Sequence, residues 1–229
     1  MDRLRRELIA NVSHDLRTPL AILKGYVETL QIKKDSLSEL EKDQYLEIVQ
    51  DSSERLASMI TQLFEYSKLE AKQIEPQKEA FQITDLVGDL TSSNQVMAKK
   101  KSIDLTLEAT TGVPLAFADI SLVERAIQNL LDNALKFTPE GGSISLKVEP
   151  SDKFVSVTIS DSGPGIEEAD QAAIFDRYEQ SKSDQKRQGI GLGLAIVKKI
   201  MELHNTTITL QSKPNEGSSF QFLLPTYSA

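Results

Sequence analysis

The chain reads as an α+β protein of two domains, a helical hairpin followed by an α/β sandwich. Three observations predict this. Residues 4–69 carry helical periodicity with little punctuation, Ile74-Glu75-Pro76 interrupts it, and short β-prone runs then alternate with helical ones.

The first helix is marked by Leu4, Leu8, Val12, Leu16, Leu20, Leu23, Val27 and Leu30, an apolar stripe at three- and four-residue spacing. Asp35 and Ser36 break it, and Ser38 stands three residues before Glu41, the signature of a capping box. In the second helix Leu40, Leu56, Met59, Leu63 and Tyr66 repeat the stripe. Two amphipathic helices cannot enclose their own stripes, whereas two such hairpins form a four-helix bundle. A homodimer is therefore expected, with packing against the rest of the same chain as the alternative. The hairpin is expected over 1–72 and the second domain over 77–229. In that second domain strands are predicted at Ile103–Leu107, Ser143–Val148, Phe154–Ser160, Thr207–Gln211 and Phe220–Leu224. Helices are predicted near Thr84–Lys100, Ile120–Phe137 and Leu192–Leu203.

Composition narrows the function. The net charge of -8 lacks the basic footprint of a nucleic-acid binder, so no nucleic-acid partner is expected. Without cysteine there is no disulfide, thiolate metal site or cysteine nucleophile. No apolar run approaches the ~18 residues that span a bilayer. A cytoplasmic location is expected, with membrane contact only through an upstream region.

Four clusters carry candidate chemistry. His14 lies two residues from both Val12 and Leu16, which turns its imidazole away from the apolar stripe. A neutral imidazole is a good nucleophile, Asp15 is placed to hold its tautomer, Thr18 lies one turn on, and Pro19 can bend the helix there. An ordinary surface histidine beside a kink fits the same residues. Asn129, Asn133 and Lys136 share one helix face. Carboxamide oxygens suit Mg²⁺ and lysine suits phosphate. A merely polar outer face is the alternative. Asp161-Ser162-Gly163-Pro164-Gly165 follows a β-prone run, and its carboxylate could accept from an exocyclic amine such as adenine's. Gly189-Ile190-Gly191-Leu192-Gly193-Leu194 precedes a helix whose N–H groups could cradle phosphate. Turns and caps use the same glycines. His204, near a helix end, reads as a capping cation.

In their order these clusters resemble the sensor histidine kinases of two-component signalling, over essentially the whole chain. Ser13 to Leu20 looks like the family's H box and Asn129 to Thr138 like its N box. Asp161 to Ile166 resembles the first glycine box, Ile174 to Tyr178 the F box, and Gly189 to Leu194 the second glycine box. The resemblance implies a phosphoacceptor hairpin and a Bergerat-type ATP-binding domain, with a mixed sheet covered on one face by helices. It implies His14 as phosphoacceptor with Asp15 as its base, and Thr18 at the position used in dephosphorylating a partner. Asn133 is implied as Mg²⁺ ligand, Asn129 and Lys136 at the phosphates, and Asp161 at adenine. Gly163, Gly165, Ile166, Phe175, Gly189, Gly191, Leu192, Gly193 and Leu194 complete the implied nucleotide site. Residues 166–188 would form the ATP lid, in which Lys182, Lys186 or Arg187 meets the γ-phosphate. The implied partner is a response-regulator receiver domain. Ser162 stands where asparagine is common, and the lid lacks the usual glycine-rich run.

Two rivals differ in class. An ATPase of the gyrase and mismatch-repair type would lack the His-bearing hairpin. A dimeric scaffold would bind nucleotide or regulator without transferring phosphate. A core used mainly as a phosphatase is a third variant, which Thr18 permits.

Overall fold

The structure is a computed structural model that describes the backbone of residues 2–34, 36–71, 73–175 and 191–227, with side chains from residue 16 onward. Helix α1 (Asp2–Ile32) and helix α2 (Glu39–Glu70) pack against each other as a hairpin. The turn is fixed by the capping box: Glu41 N–H donates to Ser38 Oγ at 3.3 Å, and Ser38 N–H donates to Glu41 Oε2 at 2.9 Å. Tyr26 and Tyr45 set the antiparallel register, their rings edge-on at 5.1 Å. Pro19 lies inside α1 and is buried.

Residues 73–78 have no regular structure among those described. Beyond them come β1 (Glu79–Phe81), α3 (Ile83–Lys100), β2 (Asp104–Ala109), β3 (Ala116–Ala118) and α4 (Ile120–Phe137). There follow β4 (Ser143–Ser151), β5 (Phe154–Asp161), the short α5 (Glu168–Gln171), α6 (Gly193–Leu203), β6 (Ile208–Lys213) and β7 (Gly217–Pro225). Five strands form one mixed sheet in the order β2-β4-β5-β7-β6, parallel between β2 and β4 and antiparallel elsewhere. Strands β1 and β3 pair antiparallel as a small separate ladder.

Alternation along the strands decides which face is covered. Ile144, Leu146 and Val148, Val157 and Ile159, and Phe220, Phe222 and Leu224 are buried on one side. Helices α3, α4 and α6 supply the facing layer through Val87, Val123, Ile127, Leu130, Leu131, Ile196 and Ile200. The opposite side carries Ser145, Lys147, Thr158 and Gln221, with Lys147 and Glu149 paired at 2.9 Å. The sheet is thus covered by helices on one face, as the family resemblance implied.

The hairpin joins this core. Met59, Tyr66 and Leu69 of α2 are buried in the same apolar cluster, and α2 packs against α6. Leu20, Ile32, Leu40, Leu46, Ile60 and Phe64 remain exposed on the hairpin of the single chain. No described helix is long and apolar enough to cross a membrane.

Candidate nucleotide-binding site

Helix α4 is the floor of the site. Asp119 caps its start, accepting Leu122 N–H on Oδ1 at 3.1 Å. Apolar side chains at Val123, Ala126, Ile127, Leu130, Leu131 and Ala134 turn one face to the core. Asn129 emerges beside that face, buried, and donates its amide to the Arg125 carbonyl at 2.9 Å. Its Oδ1 lies on the side of Gly193, at the start of α6. Asn133 and Lys136 follow along the helix, both half-buried, with Lys136 Nζ 4.5 Å from the centre of the Phe137 ring.

The first turn of α6 faces this row. A Cβ placed on Gly193 would lie 3.4 Å from Asn129 Oδ1 and 3.8 Å from Asn133 Nδ2. The start of α6 therefore lies within side-chain contact distance of both amides. Leu192 at the N-cap makes no side-chain hydrogen bond to the first N–H groups of α6, where the helix dipole favours an anion. Gly191 enters this turn with φ +69, Leu192 is buried, and Leu194 packs against the core. Two amide groups beside the N–H groups of a helix start fit a phosphate chain with a hard cation. Gly189 lies outside the described residues, as do Lys182, Lys186 and Arg187.

Asp161 ends β5 at the other side of the site. Its Oδ1 accepts Gly163 N–H at 2.8 Å. Burial raises the carboxyl above its usual range, and hydrogen bonds from the Gly163 and Ser218 backbones pull it part of the way back. A Cβ on Gly163 would stand 2.6 Å from that oxygen and 3.3 Å from the Phe137 carbonyl. Gly165 has φ +68, and a Cβ there would collide with the Lys213 carbonyl. Ser162 replaces the commoner asparagine without loosening the loop, since its Oγ accepts Ser143 N–H at 2.8 Å. Ile166 N–H donates to Ser212 Oγ at 2.9 Å, and Phe175 stacks edge-on against Phe220 at 6.2 Å. Thr138, the C-cap of α4, has its Oγ1 buried without a hydrogen-bond partner among the described residues. The structure so gathers Asn129, Asn133, Gly193 and their neighbours at one locus, with the Asp161 loop meeting α4 at Phe137.

Two features escaped the sequence reading. His204 is not a capping cation: it is 2% exposed. Its Nε2 accepts Asp119 N–H at 3.0 Å and its Nδ1 donates to the Ile200 carbonyl at 2.8 Å. Burial lowers its pKa, with the Ile200 carbonyl and Asp119 opposing and Lys78 assisting, so the ring is neutral near pH 7. Asp119 was missed altogether. Besides capping α4 it accepts Gln77 N–H on Oδ2 at 2.8 Å, tying residues 73–78 to the helix. An Asp directly before an amphipathic run was the available signal.

Two family descriptions match. "Histidine kinase-, DNA gyrase B-, and HSP90-like ATPase" covers residues 118–228, and "His Kinase A (phospho-acceptor) domain" covers residues 4–72. The sensor-like histidine kinase SenX3 of Mycolicibacterium smegmatis is 33% identical over 99% of this chain and 59% of that protein. The chain belongs to the histidine kinases. Drug sensory protein A of Synechocystis is 35% identical to this histidine kinase over all of the chain and 36% of its own length. The chain thus spans about a third to three fifths of these two relatives. Among solved structures, histidine kinase ThkA in complex with the response regulator protein TrrA superimposes with a TM-score of 0.79. It is 26% identical and covers 99% of this chain and 64% of that one. In the histidine kinase described here, His14 and Asp15 lie on α1 within the phosphoacceptor match, their side chains outside the described residues. Thr18 is exposed one turn further along.

Proposed function

We propose that this histidine kinase core binds ATP, transfers its γ-phosphate to His14 and then passes it to an aspartate of a response-regulator receiver domain. The observation that carries the reading is the close approach of Gly193, the first residue of α6, to the amides of Asn129 and Asn133 on α4. It lies in the ATPase-type domain of a chain that also carries a phosphoacceptor domain.

Asp161 accepts the adenine amine, and Gly163 lets the base approach it. Asn129, Lys136 and the N–H groups at Gly191 to Leu194 hold the phosphates, while Phe175 and Ile166 wall the base side. Asn133 would hold Mg²⁺, which supplies charge neutralisation at the phosphate oxygens when bound. Held in line, the neutral imidazole of His14 attacks phosphorus. The bond to the β-phosphate bridging oxygen breaks, ADP departs, and the ring proton passes towards Asp15.

Two further readings belong with this one. The exposed Leu20, Ile32, Leu40, Leu46, Ile60 and Phe64 support a homodimer through the hairpins. ThkA, solved with the response regulator TrrA, supports a receiver domain as partner. Thr18, exposed near His14, is suited to orient water when that partner is dephosphorylated.

The decisive experiment incubates the chain and a His14→Gln variant with Mg²⁺ and γ-labelled ATP. Acid-labile, alkali-stable label on the parent alone is the expected result. Equal label on both would overturn His14 as acceptor, and no label despite ATP binding would favour a scaffold.

A further inference from the structure

The turn between β6 and β7 seats the loop that follows Asp161. Asn215 N–H donates to the Pro164 carbonyl at 2.6 Å, and a side chain at Gly165 would collide with the Lys213 carbonyl. Ile166, the next residue, is held at both polar groups of its backbone. Its N–H donates to Ser212 Oγ at 2.9 Å. Its carbonyl accepts from Gln171 Nε2 at 2.9 Å, and the same nitrogen donates to the Ser212 carbonyl at 3.0 Å. Ile166, Gln171 and Ser212 thus close a ring of hydrogen bonds.

The Ser212 hydroxyl has one proton and two acceptor lone pairs. The proton goes to the Gly217 carbonyl at 2.7 Å, so Ser218 is the donor where the two serine hydroxyls meet at 3.0 Å. With Ile166 N–H as the second donor, every position on this oxygen is used. The junction joins the loop after β5 to the first two residues of β7. Ser218 stands opposite Asp161 in the sheet, and its backbone N–H bonds to the Asp161 carboxylate. One hydroxyl therefore links Ile166 on one side to the backbone that holds Asp161 on the other. Ser160 and Ser219 form a neighbouring cross-strand hydroxyl pair at 2.8 Å, which makes no bond to that loop among the described residues.

We propose that Ser212 and Gln171 are positioning residues for the adenine base, clamping Ile166 in a fixed relation to Asp161. This rests on the assignment of Asp161 to the adenine amine. Ser212→Ala leaves the Ile166 N–H and the Gly217 carbonyl without their partner, so the loop shifts and the base loses its alignment with the carboxylate. The phosphate contacts on α4 and α6 are untouched. The test titrates the full chain with ATP and with purine riboside triphosphate, which lacks only the exocyclic amine. The parent should bind ATP about tenfold more tightly than the analogue, the usual worth of a hydrogen bond to a charged group. Ser212→Ala and Gln171→Ala should each cut that preference about threefold, and the double variant no further, because both act through Ile166. Ser212→Thr, which keeps the hydroxyl, and the control Ser219→Ala should retain it. A variant that is merely unstable loses both nucleotides in proportion and keeps the ratio. A preference unchanged in Ser212→Ala, an equal loss in Ser219→Ala, or no rescue by Ser212→Thr would overturn the clamp. Asp161→Ala separates the two readings. If it still favours ATP over the analogue, the adenine reading falls and the clamp with it; if it does not, while Ser212→Ala does so fully, the clamp alone falls.

Discussion

The backbone N–H of Asp119 donates to Nε2 of His204 at 3.0 Å, joining the start of α4 to the end of α6. A neutral ring is required, because Nδ1 already carries its proton towards Ile200. Protonating Nε2 would turn an acceptor into a second donor facing another N–H.

Acid should therefore weaken the fold through His204. Its folded pKa is lowered, so the unfolded chain binds more protons between the two values. The stabilisation is complete above the unfolded pKa, about 6.5, and is lost as pH falls below it towards the folded value. Denaturant midpoints should drop between pH 7.5 and 5.5 in the parent, and drop less in His204→Gln. Parallel pH curves for the two proteins would refute the assignment.

Asp119 acts in a lower window. Burial opposes its charge, but hydrogen bonds from Ser121, Leu122 and Gln77 win, so its pKa is lowered and its contribution disappears only in stronger acid. Asp119→Ala removes a cap and strands the Gln77 N–H. The expected loss is about 2 kcal/mol in chemical denaturation, from the usual costs of a lost cap and an unmade hydrogen bond. Asp119→Asn should recover part of it, since an amide oxygen can still cap α4.

Gly163→Ala should weaken ATP binding about tenfold, or roughly 1.4 kcal/mol, with little change in melting temperature. The added methyl pushes on the Asp161 carboxylate, which the loop can yield to by shifting its hydrogen bond. Calorimetric titration with ATP checks this. Gly165→Ala is expected to fail earlier, as unfolding, because backbone blocks its methyl.

Asp161→Ala should abolish measurable ATP binding at concentrations that saturate the parent. Because burial raises the Asp161 pKa, binding to the carboxylate should begin to fade above the pH at which an exposed aspartate titrates. Affinity measured from pH 7.5 to 5 should fall earlier for the parent than unfolding alone explains.

Most of the fold could be read from periodicity because the elements are long and amphipathic. Helices α1 to α4 and α6 and all five strands of the main sheet were placed within a few residues. The pair β1 and β3 was not seen, since three residues are too few to show alternation, and α5 has only four. At the site, the shared face of Asn129 and Asn133 could be read from their four-residue offset, and the Asp161 loop from its glycines after a β-prone run, while their roles rested on the family resemblance. The roles of His204, Asp119 and the Glu65–Arg125 pair could not be. Each depends on partners 42 to 85 residues away for Asp119, and 60 for the ion pair, which local pattern does not encode.

Helix α4 carries the linker clamp at its N-cap Asp119, the contact of Arg125 with Glu65 of the hairpin on its second turn and the nucleotide amides beyond. A screen that scores only loss of activity would therefore draw a misleading map. Lesions at Asp119 would be grouped with those at Asn133, although Asp119 caps the start of α4 and never meets ATP. Separating the groups takes a second axis of measurement, such as nucleotide affinity in the isolated variant.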